Sequence, residues 1–286
     1  MGHVLSREQI ERYRYDGYLY PLAALSSAEV AECNAGLARY EDWLGGPVNA
    51  ADRRWRSASY VMLPWVDALV RHPKVLDVVA DLLGPDILVY TATWFIKEAE
   101  SPTFAAWHQD ATYFGLDPHE HVTAWVAFSD AGAEAGCMEV VSSQGRPRQL
   151  HHAALGLEHS INGGGQAIVE RFYDGGGEMM ALRAGEFSLH HTLCPHRSAP
   201  NRAAHRRIGL GISYIPARCR LTGTVRMYAR LVRGQDRFGH FDPVPPPEGE
   251  FHPAAVARHE QVYQRYRDNY YEQIAAHDRA FAAAPV

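Results

Sequence analysis

Four short segments rich in β-branched and aromatic residues, Ile87 to Lys97, Val122 to Phe128, Met138 to Val141 and Ile208 to Ile215, constrain the fold of this chain more than any other feature. They are short and set among Gly, Pro, Asp and Ser residues, which is the pattern of strands joined by turns. The last segment alternates. Ile208, Leu210 and Ile212 fall on one face, and Arg207, Gly209, Gly211 and Ser213 on the other. An Arg beside two glycines leaves room for a ligand close to the backbone, and its planar fork can hold a carboxylate through two hydrogen bonds.

Helices are expected on both sides of these strands. Ser6-x-x-Gln9 and Ser26-x-x-Glu29 have capping-box spacing, in which the hydroxyl takes an orphan amide and the residue three later reaches back. A third helix starts at Pro73, shows an apolar face of Val75, Leu76, Val78, Val79, Leu82 and Leu83, and stops at Gly84-Pro85. After the breaker Pro243-Val244-Pro245-Pro246-Pro247, the segment 253–284 is expected to be a terminal helix packed on the outside of the sheet. Gly163-Gly164-Gly165 and Gly175-Gly176-Gly177 read as turns or loops, because neither has the spacing of a phosphate cradle. Strands in the middle with helices at both ends predict an α+β chain with an antiparallel core. One domain over 1–286 is expected, its core at 87–215.

Charge and cysteine usage narrow the function. Lys and Arg total 28 against 33 for Asp and Glu, and the net charge of −5 gives nucleic acid or an anionic membrane no general attraction. No apolar run approaches the roughly 20 residues of a membrane helix. The N-terminus, with Arg7, Glu8, Glu11 and Arg12, lacks a signal-peptide core, so a cytoplasmic protein is expected. Cys33, Cys137, Cys194 and Cys219 form no Cys-x-x-Cys pair, which excludes a zinc knuckle or dithiol motif and suggests reduced thiols. No residue pattern speaks to oligomeric state.

The candidate chemistry begins at Trp107-His108-Gln109-Asp110. On a strand, residues two apart share a face, so His108 and Asp110 would present an imidazole and a carboxylate side by side. A third ligand is sought in the stretch 185–201, which contains His190, His191 and His196. Two His and one carboxylate leave coordination positions open, the arrangement of non-haem iron(II) oxygenases. His119-Glu120-His121, His151-His152 and His190-His191 lack the combination of His-x-carboxylate spacing and a distal partner, and read as ordinary histidines. Arg146 and Arg148 read as a solvated loop.

The stretch from Trp94 to Tyr214 resembles the phytanoyl-CoA dioxygenase family of iron and 2-oxoglutarate enzymes. The residues that carry the resemblance are His108-Gln109-Asp110, Tyr113-Phe114, Thr123-Ala124-Trp125, Gly136-Cys137, Gly185-Glu186, His196-Arg197-Ser198, Asn201 and Arg207; Asp16-Gly17-Tyr18 extends it toward the N-terminus. The resemblance implies a double-stranded β-helix, a jelly-roll barrel with helices packed on one sheet. It implies His108, Asp110 and His196 as the iron ligands, Arg207 on the far carboxylate of 2-oxoglutarate, and Ser198, Trp125 and, more weakly, Thr93 beside that co-substrate. The activity it implies is oxidation of a small molecule with Fe(II), 2-oxoglutarate and O₂, with an amino-acid-like compound or natural product as the expected substrate.

Where the family has a Pro-Gly-Ser-His turn, this chain reads Ser142-Ser143-Gln144-Gly145, which bears on the substrate rather than on the iron. Relatives that halogenate carry Ala or Gly at the carboxylate position; Asp110 fills it, which disfavours halogenation. A non-catalytic metal-binding barrel would not need both the triad and Arg207. A zinc hydrolase lacks a marked general base near the triad.

Overall fold

The structure, a computed structural model, describes residues 4–162, 166–173 and 175–282. Helices α1 (Arg7–Asp16) and α2 (Ser27–Leu44) start at the two expected capping boxes. Ser6 Oγ accepts from the Gln9 amide at 3.2 Å while Gln9 Oε1 takes the Ser6 amide at 2.9 Å. Such a cap typically contributes about 1 kcal/mol. After α3 (Pro64–Leu69), α4 (Pro73–Leu83) begins and ends where Pro73 and Gly84-Pro85 predict.

The strand β1 (Tyr18–Ala23), between the first two helices, was not expected from sequence; it forms one edge of the larger sheet. That sheet has seven strands in the order β1, β10 (Glu186–His191), β5 (Val122–Ala127), β12 (Gly209–Pro216), β2 (Ile87–Trp94), β14 (Tyr228–Arg233), β15 (Asp242–Pro243). Its ladders are antiparallel except β14 with β15. A second, antiparallel sheet runs β3 (Ala105–His108), β11 (His196–Ser198), β6 (Met138–Val140), β9 (Glu178–Met180). Two small ribbons pair β4 (Leu116–Asp117) with β13 (Arg220–Leu221) and β7 (His152–Ala154) with β8 (Gln166–Ile168).

The fold is therefore mixed α+β, the double-stranded β-helix type, and strand alternation explains its layers. On the outer face of the large sheet Ala92, Trp94, Ala124, Val126, Phe187, Leu189, Leu210 and Ile212 join Leu37, Tyr40, Val66, Val75 and Val79 of the helices in one core. Each large apolar side chain buried there contributes roughly 1.5–3 kcal/mol. The alternate residues Thr91, Thr93, Thr123, Trp125, Ser188, His190, Gly211 and Ser213 face a cavity whose other wall includes Ala105, His108, Met138, Met180 and His196 of the smaller sheet.

Some boundaries, and the placement of one helix, differ from expectation. The strand begun at Ile87 ends at Trp94; Lys97 rejoins later, in an isolated bridge to Arg207, with both backbone hydrogen bonds at 2.9 Å. Arg207 thus precedes β12. The terminal helix α6 (Pro253–Ala282) joins the outer core through Ala255 and Val262, as expected, but it also supplies Tyr263, Tyr266, Arg267, Tyr270 and Tyr271 to the cavity wall. Its buried stripe explains this, because it includes His259, Asn269, Gln273 and His277, polar groups that need partners an apolar sheet face lacks. His259 Nε2 lies 2.8 Å from the Ser57 carbonyl, and Asn269 Nδ2 donates to Tyr90 OH at 2.8 Å. The glycines 163–165 and residues 283 and 284 lie outside the described residues; Gly175 to Gly177 form a loop before β9. No described helix is long and apolar enough to cross a membrane.

Candidate metal and co-substrate site

His108 is the last residue of β3, and His196, the first of β11, pairs with it in register. Asp110 is not on that strand. It caps the short helix α5 (Ala111–Phe114) with φ −63° and ψ −32°, so the carboxylate reaches the imidazoles because the chain turns after His108, not because alternate strand residues share a face. The three potential ligand atoms lie within 4.8 Å of one another, a group that could hold a metal ion. His196 Nε2 is 3.8 Å from Asp110 Oδ1.

Hydrogen bonds select the ring nitrogen each histidine can offer. His108 Nδ1 lies 2.8 Å from the Ala106 carbonyl and His196 Nδ1 lies 3.0 Å from the Cys194 carbonyl. A carbonyl can only accept, so Nδ1 carries the proton and Nε2 keeps its lone pair for a metal. Burial lowers the pKa of His108, and burial with the adjacent His108 and His190 rings takes His196 well below the ordinary value. For Asp110, burial pushes upward, but the hydrogen bond from His190 and the charges of His196, His190 and His121 prevail and hold the carboxyl well below the usual range. Its Oδ2 accepts from Thr123 Oγ1 at 3.0 Å and from His190 Nε2 at 3.3 Å, leaving Oδ1 on the His196 side. Thr123 Oγ1 in turn accepts from His121 Nε2 at 3.2 Å.

Gln109, between the two ligands, is buried. Its side-chain amide donates to the carbonyls of Leu193 (2.6 Å) and Arg148 (2.9 Å), and its Oε1 accepts from the Leu150 amide at 2.7 Å. Its backbone N–H donates to His152 Nε2 at 2.9 Å, and the His152 amide donates to His277 Nε2 of α6 at 3.0 Å. Burial pushes His152 down to about 3, which keeps Nε2 an acceptor. His121, His152, His190 and His277 therefore orient the site from behind, a role sequence reasoning assigned to none of them. Spacing carries little trace of it, since His152, His190 and His277 act through partners distant in sequence, and His121 acts on Asp110 only through Thr123.

Arg207 is 3% exposed, donates from Nη1 to the Gly136 carbonyl at 2.7 Å and lies 5.3 Å over the Trp125 ring. Burial lowers its pKa to about 10, so it stays charged at neutral pH, and its buried Nε has no hydrogen-bond partner. The flanking glycines make room for aromatic rings, not directly for a ligand. A Cβ on Gly209 would stand 2.1 Å from Trp125 Cζ2, and one on Gly211 would stand 2.8 Å from Phe95 Cε2.

Ser198 Oγ accepts from Lys97 Nζ at 2.8 Å, which leaves the Ser198 proton free, and Thr93 Oγ1 lies 3.4 Å from Ser57 Oγ. Lys97, also missed from sequence, is fully buried; burial, then Arg207, pushes its pKa down to about 6. His108, Asp110, His196, Thr93, Trp125, Ser198 and Arg207 all line one cavity of ≈ 250 Å³, with the unpartnered Thr91 Oγ1 and Ser188 Oγ beside them. Unpaired buried donors facing two imidazole lone pairs and a carboxylate fit a metal ion with an anionic chelator.

The departure at Ser142 to Gly145 lies elsewhere. Ser142 Oγ donates to Asp16 Oδ1 at 2.6 Å and the Gly145 amide donates to the Tyr15 carbonyl at 2.7 Å, so this turn docks on the end of α1 and supplies no residue to the cavity wall. The four cysteines are free thiols, and Arg148 pairs with Glu170 at 3.1 Å.

Comparison with known proteins places this geometry. Residues 13–209 match the family model described as Phytanoyl-CoA dioxygenase (PhyH). A probable alpha-ketoglutarate-dependent hypophosphite dioxygenase from Stutzerimonas stutzeri is 23% identical over 153 residues, 53% of this chain and 53% of that protein. The match thus spans about half the length of that curated relative. The apo structure of the non-heme monooxygenase ThoJ is 31% identical and superposes with a TM-score of 0.82 over 94% of this chain and 99% of that one. The non-heme alpha ketoglutarate dependent carbocyclase SnoK from nogalamycin biosynthesis shares the fold, with 24% identity and a TM-score of 0.61 over 87% of this chain and 95% of that one.

Proposed function

This chain belongs to the phytanoyl-CoA dioxygenase family of iron(II)- and 2-oxoglutarate-dependent oxygenases, and we propose that His108, Asp110 and His196 hold its iron while Arg207 and Ser198 hold its co-substrate. The observation that carries the ligand assignment is the pair of Nδ1–carbonyl hydrogen bonds, which leave both Nε2 lone pairs free for a metal in a group that includes the Asp110 carboxylate. Iron with 2-oxoglutarate and O₂ supplies the oxidising chemistry when bound, releasing succinate and CO₂.

The protein's part is positional. His190 and Thr123 hold Asp110 ionised on one oxygen, and Lys97 occupies the Ser198 lone pair so that the hydroxyl proton can go to a carboxylate. Arg207 offers Nε and a desolvated charge to the same carboxylate, with Trp125 fixing the plane of the guanidinium. The substrate is a small molecule in natural-product or amino-acid-like metabolism, hydroxylated or otherwise oxidised; SnoK, which shares the fold, is a carbocyclase from nogalamycin biosynthesis. Asp110 holds the position a halide would need, so oxygenated or dehydrogenated products are expected even in excess chloride.

The test is succinate formed per iron under air, by mass spectrometry, alongside the anaerobic iron–2-oxoglutarate charge-transfer band. Slow succinate release without substrate is expected. Formation of the band with no succinate over hours under any candidate substrate would leave a binding protein rather than an oxygenase.

A further inference from the structure

We propose that the solvent end of the cavity is a subsite for an oxyanion on the primary substrate, a carboxylate or phosphate on a compact and partly aromatic molecule, with Arg56 as its main partner. The proposal rests on the oxygenase reading above and names the substrate class of that site.

The charged side chains that line the cavity are five arginines and one aspartate. The aspartate is Asp110, committed to His190 and Thr123. Of the arginines, Arg207 belongs to the co-substrate end, and Arg197 is tied to Glu139 at 2.7 Å and lies over Trp107. Arg53, Arg56 and Arg267 remain, from the 3-10 helix Arg53–Arg56 and from α6. The nearby carboxylates do not neutralise the first two, because Asp52 and Glu260 are both taken by Arg54, at 3.3 and 3.0 Å. Arg267 reaches Asp268 only at 4.0 Å, with both side chains about half exposed, which leaves it largely available.

Arg56 is the informative one. Its Nε is buried without a hydrogen-bond partner, and no carboxylate pairs with it among the described residues. Other unpartnered buried groups line the same cavity, among them the hydroxyls of Thr91, Tyr113 and Tyr270. A guanidinium that no carboxylate pairs with, in a cavity lined by unpaired hydroxyls, is a donor set open to an anion, since leaving such donors buried and unpaired costs free energy. Arg56 sits beside Arg53, Tyr263 and Tyr266, whereas Arg207 donates to the Gly136 carbonyl and lies over the Trp125 ring, so the two guanidinium groups are taken as anchors of separate anion sites.

Aromatic rings connect the new site to the metal. The Tyr113 ring lies 6.3 Å from the His108 ring and stacks on Tyr270 at 4.9 Å, and Tyr266 stands 6.3 Å from Tyr270. A substrate anchored by its anion at Arg56 would lay an apolar body along this wall and present its far end to the iron. A uniformly polar small molecule would gain nothing from the stacked tyrosines.

The experiment uses two charged probes, phenylacetate and phenyl phosphate, and their neutral counterparts, phenylacetamide and phenol. Each is titrated calorimetrically into the metal-free protein and into the anaerobic iron–2-oxoglutarate complex. A charged probe should bind at least about tenfold more tightly than its neutral counterpart, and Arg56→Gln should erase that preference while Arg56→Lys retains part of it. The arm that binds more tightly distinguishes a carboxylate from a phosphate. The 2-oxoglutarate midpoint, read from the charge-transfer band, should move less than about twofold in Arg56→Gln.

Equal binding of charged and neutral probes, no binding of either charged probe, or a preference indifferent to Arg56→Gln would each overturn the proposal. A shifted 2-oxoglutarate midpoint with unchanged probe binding would assign Arg56 to the co-substrate and overturn it too. If Arg56→Gln does not fold, judged by circular dichroism, Arg267→Gln on the exposed side of α6 carries the test, with a loss of about threefold or more expected. Failure of the wild-type band to form would sink the oxygenase reading alone, because the metal-free titrations still report on the anion site.

Discussion

The iron end and the solvent end of the cavity are built on opposite principles. At the iron end every functional side chain has a second residue holding it: Ala106 and Cys194 carbonyls on the histidines, His190 and Thr123 on Asp110, Trp125 and the Gly136 carbonyl on Arg207. At the solvent end, Arg56 Nε and Tyr270 OH have no internal partner, and Arg53 and Tyr271 are exposed. Groups that perform the same chemistry in every cycle are held in place beforehand, because misplacement is costly. Groups that meet a specific ligand can leave their hydrogen bonds for the ligand to complete.

The largest effect that would break this comparison comes from the ligands themselves. Asp110→Ala or His196→Ala should abolish succinate release and weaken iron binding by more than the roughly 10–100-fold that outer-shell substitutions cost. Wild-type turnover in either variant, measured with added iron(II), removes the triad. Next, Arg207→Ala removes a charged donor worth roughly 2–5 kcal/mol to a buried partner, so the 2-oxoglutarate Kd should rise by about 30-fold or more with iron binding nearly unchanged. An unmoved charge-transfer midpoint would hand that role to another residue.

His190→Ala and Thr123→Val sharpen the contrast, because each should lower iron affinity by about tenfold or more through Asp110 alone. Equilibrium dialysis against iron(II) reads the change, and an effect equal to that of Tyr271→Ala would mean that the support is not specific. The smallest effect concerns Lys97. Its folded pKa is pushed down to about 6 from 10.5, so between those values the unfolded chain holds a proton that the folded one has released. Stability from this residue therefore rises with pH across that window and is lowest below it. The denaturation midpoint of wild type should climb relative to Lys97→Met from the acidic to the alkaline end; a constant difference would show that Lys97 does not titrate on folding.

Legibility in sequence followed the range of the interactions. The capping boxes at Ser6 and Ser26 and the stop at Gly84 were readable because cap and partner are four residues apart or fewer. The β-branched segments were readable because burial of both faces enriches such residues, whereas β1, an edge strand with Pro21 in it, carries no comparable pattern. The triad residues stood out through motif order, yet Asp110 proved to sit on a turn, since a His-x-Asp spacing is compatible with either conformation. Lys97 and most of the supporting histidines stayed hidden because their meaning lies in contacts 43 to 125 positions away, such as His152 to Gln109, Lys97 to Ser198 and His152 to His277. The cavity-lining part of α6 stayed hidden for a related reason. Its buried stripe is polar, and a polar stripe looks solvated until its partners are known.

Those partners give α6 a thermodynamic connection to the metal. The His277 ring takes the His152 amide and the His152 ring takes the Gln109 amide, so docking of the helix and the geometry of the peptide between two ligands draw on one equilibrium. Linkage of this kind is reciprocal: whatever affinity iron gains from a docked helix, the helix regains as resistance to opening when iron is present. Amide hydrogen exchange over 253–282 should therefore slow on metal loading, and His277→Ala should abolish the slowing while leaving the helix itself formed. The wall that meets the substrate would then be tightened by the same event that arms the site, so that a loaded centre and a settled wall favour each other.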